Sequence, residues 1–448
     1  MELSKMRAAS PNHSGLKWSG SYMRGIRLVA VLPMVIATIA CESLLEVDIP
    51  GRVPGTALDD PTLASTLVLG AQADFECGWS EYVLTESMFT DEFIVATSIV
   101  TVTVTDARTA QLQASGNNSC TTSRNRRSIS PYRPVQLARF QAEDVYKRIT
   151  AFEGVASKES HLSKLALYAG FMHTLLGEGY CDLTTAINGG PRESKVSLWN
   201  KAETWFGTAI GHAEAAGNTS EKWAATLGRA RVRLNLGNTA GAVSDASAIP
   251  VDFQYDVTRD GSVPSRDNQI YQQSGLQNHH SLDPLFRNLT IDAAGKQTQG
   301  DGVADPRVPN YSGVSVGQQY GEDGFTPMWY QGKYTSLSDS YPLATWREAL
   351  LIIAEVQLGQ TAVDNINILR ARHSLPNYVP ASVSDATEIL NAVIEEKRRE
   401  TFVEGHRINE MQRHNLQWQE GLTHRGLTYG EFHCLPEFHS EKDNNANF

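Results

Sequence analysis

Leu234-Asn235-Leu236-Gly237-Asn238-Thr239-Ala240 and, far downstream, Val356-Gln357-Leu358-Gly359-Gln360-Thr361-Ala362 spell the same turn twice. Each closes an apolar-periodic run on Leu-Gly and opens the next on Ala, which is how one helix ends and another begins. A chain that repeats this turn is read as helical hairpins. Around the first copy, 198–216 and 220–236 have helical periodicity. Around the second, 344–358, 362–373 and 386–404 have it too. Trp205, Ala209 and Ala213 fall on one face, and Ala224, Leu227, Ala230 and Leu234 on another. Small side chains at such positions let helices approach closely, as in tetratricopeptide pairs, although no strict period of about 34 residues recurs. Earlier, 135–152 carries Leu137, Phe140, Val145 and Ile149 at three-to-four spacing, and 162–176 is expected to stop at Gly177. The expected class is mainly α, with a first helix near Asp59.

From 252 to 343 the character changes. Gly, Asn, Asp, Gln and Tyr crowd this stretch, and no long helical stripe crosses it. Irregular segments of this length are uncommon unless they carry function. Residues 59–448 therefore read as one domain: a helical scaffold over about 59–251 and 344–415, interrupted by a loop-rich ligand lobe.

The N-terminal end gives the cellular address. Met23-Arg24-Gly25-Ile26-Arg27 supplies two positive charges, and 28–40 is an uncharged, mostly apolar run ending at Cys41. It is shorter than the roughly 20 residues needed to span a bilayer. It fits a secretory signal with a small-residue cleavage site. Thr38-Ile39-Ala40-Cys41 resembles a bacterial lipobox, so 23–40 is the expected signal peptide and Cys41 the lipidated first residue of the mature protein. Residues 1–22 read as a mis-called or disordered leader, and 41–58, with Pro50 and Pro54, as a lipidated tether.

Residues 1–41 hold five of the 39 basic side chains and one of the 50 acidic ones, leaving 34 against 49 in the mature chain, a net charge of −15. That balance lacks the Lys/Arg footprint with which proteins neutralise phosphates, so nucleic acid is excluded as a partner. Of the remaining cysteines, Cys77, Cys120, Cys181 and Cys434, none forms a CxxC pair. An even count in an exported protein permits disulfides, and Cys77–Cys120 would staple the polar, β-branched stretch 98–127.

Glu395, Glu396, Lys397, Arg398, Arg399, Glu400, Glu404 and Arg407 form the densest charge cluster. Its three- and four-residue spacings read as helical ion pairs worth a few tenths of a kcal/mol each. Gly405 is placed just past the helix end. With Trp346-Arg347-Glu348-Ala349-Leu350-Leu351, Asn365 to Arg372, Asp305-Pro306-Arg307 and Lys333-Tyr334, in this order, the cluster resembles the signature of the SusD/RagB family of nutrient-uptake outer-membrane lipoproteins. The resemblance implies a helical fold on tetratricopeptide-like hairpins. It also implies a lid on a SusC-like TonB-dependent transporter, capturing oligosaccharide, or in some members peptide, at the outer membrane.

Sugar capture requires aromatic faces for pyranose C–H groups, flanked by amides and carboxyls. The lobe offers Tyr271, Tyr311, Tyr320, Trp329 and Tyr330, with Gln272, Gln273, Asn278, Gln318 and Gln319 nearby. Trp79, beside Cys77, is a further candidate. No HExxH, GxSxG or phosphate-binding loop is present, so no metal, cofactor or enzymatic activity is expected. The alternative reading is a tetratricopeptide-type scaffold for envelope protein assembly.

Overall fold

The first helix, expected near Asp59, takes up its regular turns at Ala64, and neither it nor the short helix that follows is announced by an amphipathic stripe. A computed structural model of the chain describes residues 55–109, 132–181, 183–186, 189–437 and 443–447. The leader, the signal, Cys41 and most of the tether fall outside them. Helix α1 (Ala64–Phe89) is enclosed on every side from Phe75 onward, Glu76, Glu81 and Glu86 included. A helix covered all round has no polar face, so periodicity marks it weakly. Helix α2 (Val100–Asp106) runs through the start of the polar, β-branched stretch 98–127. Thr103 and Thr105 hydroxyls donate to the Ile99 and Thr101 carbonyls at 3.0 and 2.8 Å, holding the threonines in helical turns.

The remaining scaffold helices are α3 (Tyr132–Ala151), α4 (Lys158–Gly179), α5 (Lys195–Ala216), α6 (Thr219–Asn235), α7 (Thr239–Ser247), α8 (Trp346–Gln357), α9 (Gly359–Arg372), α10 (Ala386–Glu400) and α11 (Arg407–Arg413). Gly177 does not end its helix. It lies inside α4, where a Cβ would come within 2.5 Å of Trp199 Nε1. Phe206 of α5 is likewise seated between α4 and α6, its ring 2.7 and 2.5 Å from where Cβ atoms on Gly170 and Gly228 would stand. These glycines remove side chains where neighbouring helices approach an aromatic ring, so the sequence's small residues mark packing.

The two copies of the Leu-Gly turn differ in geometry. At Gly237 the glycine takes φ +76° and the Asn238 side chain caps α7, accepting from Gly241 N at 3.1 Å. At the second, Leu358 itself takes φ +51° and α9 starts at Gly359 without a side-chain cap.

The 252–343 stretch is built of short strands. β2 (Gln254–Val257) pairs antiparallel with β9 (Tyr341–Thr345), so the lobe is closed at its base. β1 (Phe93–Val95), from the N-terminal half, pairs with β3 (His280–Leu282) inside the lobe. β4 (Leu289–Ile291) takes β5 (Gln297–Gln299) and β6 (Val303–Ala304) as neighbours, and β7 (Asn310–Ser312) pairs with β8 (Trp329–Gln331).

Buried charge fixes the lobe to the scaffold. Arg307 chelates Asp305 at 2.9 and 2.8 Å, pairs with Glu396, and lies 3.3 Å from Glu400. Arg370 donates to Glu396 at 2.7 Å and to the Gly295 carbonyl at 2.6 Å, and Arg399 reaches Asp305 at 3.2 Å. Glu395 pairs with Arg398 and Arg399 as its spacing foretold, but Glu396 turns inward, away from its helical neighbours. Burial opposes ionisation of Asp305, but the Arg307 guanidinium outweighs it and holds the carboxyl below its ordinary range.

A disulfide joins Cys181, just past α4, to Cys434, with Cα atoms 5.1 Å apart. Leu435 N donates to Gly179 O beside it at 2.7 Å. Cys77 is also disulfide-bonded, and its expected partner Cys120 lies outside the described residues.

Arg307→Met leaves Asp305, Glu396 and Glu400 short of a buried counter-charge and is expected to cost about 3–5 kcal/mol in urea unfolding. Cys434→Ser is expected to cost about 2–5 kcal/mol by the same measurement.

Candidate functional site

Strand alternation sets the site. Tyr311 on β7 and Tyr330 on β8 are direct cross-strand partners and point to the same face. Their rings stack with centroids 5.2 Å apart, inclined at 26°. Tyr330 is buried and donates its hydroxyl to Asn278 Oδ1 at 2.7 Å, while Tyr311 above it is 43% exposed. Burial, and then the neighbouring Tyr271, raise the Tyr311 phenol, which keeps it neutral and able to donate. Tyr271 is half-buried against the core.

The chain between β7 and β8 carries two further exposed rings. Tyr320, 38% exposed, is held by a bridge to Pro327, by Gln318 Nε2 donating to its carbonyl at 2.6 Å, and by Gln319 Nε2 donating to its hydroxyl at 3.0 Å. Phe325, 52% exposed under the Arg425 guanidinium at 5.1 Å, stands on the same excursion. No signal in the sequence distinguishes Phe325 from a core phenylalanine, because the turn that exposes it is fixed by the Asp323 carboxylate accepting from Phe325 N and Thr326 N.

Other sequence candidates lie elsewhere. Trp329 sits on the opposite face of β8, half-buried, with the Arg287 guanidinium 5.3 Å over its ring. Trp79 is wholly enclosed, edge-on to Phe171 at 5.8 Å, so it presents no ring face to a ligand and leaves the candidate set. Gln272 and Gln273 are buried as well, the latter bonded to His279 Nδ1 at 2.8 Å. The hairpin thus carries Tyr311 and Tyr330 on one face and Trp329 on the other, with Tyr320 on the loop that joins its strands.

Glu355, Glu410 and His414 are close enough by residue type to suggest a metal. Lys397 already serves as their cation, its ammonium 2.7 Å from Glu355 and 2.6 Å from Glu410, with Arg413 also on Glu355. His414 lies 3.3 and 3.4 Å from the two carboxylates. Although burial opposes its charge, they outweigh it and push His414 up to about 9. With Lys397 and Arg413 already on its carboxylates, the cluster is an ion-pair network rather than a metal centre.

Residues 265–445 match the model of the SusD family. No curated protein matches the chain. Among solved structures, a SusD-like carbohydrate binding protein from Bacteroides fragilis is similar at 13% identity and a TM-score of 0.62, covering 87% of this chain and 99% of that one. A SusD-like carbohydrate binding protein from Bacteroides vulgatus gives 12% and 0.61, covering 87% and 97%. The surface glycan-binding protein A of Bacteroides thetaiotaomicron gives 11% and 0.58, covering 86% and 97%. The resemblance to the SusD/RagB family is thereby borne out, in sequence over the C-terminal region and in fold over most of the chain.

A histidine raised from 6.5 to about 9 contributes its full stability below 6.5 and loses it as pH rises through 9. Urea unfolding of the wild type is expected to weaken between pH 7 and 9, and His414→Gln to flatten that part of the profile.

Proposed function

We propose that the protein is a cell-surface lipoprotein that captures oligosaccharide and delivers it to a TonB-dependent transporter of the outer membrane. The observation that carries this reading is the β7–β8 excursion: an exposed Tyr311 stacked on a buried Tyr330, with Tyr320 on the connecting loop. A pyranose C–H face packs on such a ring, and the Tyr hydroxyls and loop amides reach its hydroxyls. The carbohydrate- and glycan-binding names of the similar structures support sugar over peptide. The Cys41 lipobox supports anchoring through lipid. Among the described residues, no helix is long and apolar enough to cross a membrane. The family resemblance supports the transporter partner.

The scaffold alternative has one observation of its own, a concavity of about 730 Å³ along α5 lined by Asn200, Lys201 and Trp205 among others. Substitution separates the two readings. Tyr311→Ala and Tyr320→Ala are each expected to weaken oligosaccharide binding about tenfold in calorimetry with a glycan panel, and Trp205→Ala to leave it unchanged. Product release from the panel would overturn the binding-only reading. Pull-down of the lipidated protein is expected to recover a β-barrel transporter. Deletion of 51–57 is expected to spare binding and impair uptake.

A further inference from the structure

A second cavity, of about 620 Å³, opens where the chain leaving α2 meets a C-terminal segment, and it is lined by Arg108, Thr109, Thr428, Tyr429, Glu431 and Phe432, with Gly430 between them. The two strands of chain are in backbone contact, with Gly430 N donating to Ala107 O at 2.7 Å. A Cβ at Gly430 would stand 2.0 Å from the Arg108 carbonyl, so this approach requires glycine. Arg108 is 1% exposed, yet among the described residues no carboxylate pairs with it. Its Nη1 donates to Gln419 Oε1 at 2.9 Å and its Nη2 to the Gln419 carbonyl, both neutral acceptors. Its guanidinium lies between two rings, 4.8 Å from Tyr429 and 5.1 Å from Trp418. Ring quadrupoles offset only part of the cost of burying an unpaired ion.

Two polar atoms at the cavity have no partner. Arg108 Nε and Thr109 Oγ1 are both enclosed and make no hydrogen bond. Asp106, Asp91 and Glu420 favour the Arg108 charge only from beyond ion-pair distance, and burial pushes the Asp106 carboxyl up to about 8. The stretch 110–131 that follows contains three arginines and no carboxylate. The cavity therefore combines a buried cation with no ion-pair partner among the described residues, two polar atoms without a hydrogen bond and the aromatic walls of Tyr429 and Phe432.

We propose that this cavity is a second ligand subsite, which takes the carboxylate of a uronic-acid residue in the captured glycan. The carboxylate supplies the direct ion pair that Arg108 does not make among the described residues, and it accepts from Nε and from the Thr109 hydroxyl. The pyranose ring packs on Tyr429 or Phe432, and the exposed Glu431 at the mouth accepts from ring hydroxyls. The proposal rests on the glycan-binding reading and adds an acidic substrate class to it.

The test is calorimetry of the full chain with trigalacturonate and with its methyl ester, which has the same rings without the charge. The acid is expected to bind at least tenfold tighter than the ester, with an advantage that shrinks as salt is raised. Arg108→Gln is expected to bring the acid down to the ester's affinity, and Arg108→Lys to retain part of the difference. Should Arg108→Gln fail to fold by circular dichroism, Thr109→Val and Phe432→Ala read the same cavity and are each expected to weaken acid binding several-fold. Equal affinity for acid and ester, an acid preference that survives these substitutions, or preference for triglutamate over trigalacturonate overturns the proposal. If neutral oligosaccharides still bind and depend on Tyr320, the capture reading stands without this subsite. If no carbohydrate of either kind binds, both readings fall.

Discussion

The guanidinium of Arg307 is the joint on which the two parts of the molecule depend. It comes from the loop-rich lobe, yet two of its carboxylates, Glu396 and Glu400, come from α10 of the scaffold. Around it Arg370, Arg399 and Arg347 alternate with Glu396, Asp305 and Glu400, so each buried charge has an opposite neighbour. Lys333 adds another tie from lobe to scaffold, donating to Glu404 Oε1 and to the Phe402 carbonyl at 2.7 Å each. Such networks bring little net stability over an apolar core, because desolvation consumes most of the Coulombic gain. They do penalise misplacement: a lobe shifted by one residue would leave several ions buried without partners. Apolar contact alone, being non-directional, would tolerate that shift.

This joint explains why the C-terminal charge cluster was only partly legible. Helical spacing correctly pairs Glu395 with Arg398 and Arg399. It cannot reveal that Glu396 faces Arg307 and Arg370, which lie 89 and 26 positions away in sequence. The helical hairpins were legible because α5, α6 and α8 each keep one wet face, which leaves a stripe. Helix α1 was legible only at its start near Asp59, because its later turns are enclosed on every side, and α2, whose threonines satisfy their hydroxyls on their own backbone, was not. Gly177 was read as a stop because sequence does not distinguish a glycine that ends a helix from one that makes room for Trp199.

The candidate site was legible in kind more than in membership. Tyr311, Tyr320, Trp329 and Tyr330 come together because β7 and β8 pair, and their alternation then separates Tyr330 from Trp329. Trp79 has the same chemistry, but α1 lies at the core and encloses it. Phe325 was missed for the opposite reason: a local Asp323 turn exposes a residue type that is ordinarily buried. Composition identifies the rings available for stacking, and only the pairing of strands decides which of them meet solvent.

The β2–β9 ladder has a consequence for how this molecule can change. Because it ties the two ends of the lobe side by side, the scaffold meets the intervening chain as a closed handle of fixed footing. Lengthening or replacing a loop between those strands adds a closure cost that grows only with the logarithm of its length. The β7–β8 excursion lies well inside that handle, so its rings can be exchanged while the footing and the helices beneath it stay as they are. The architecture behaves as a fixed socket with an interchangeable head, in which a new surface chemistry asks for new loops and no new fold.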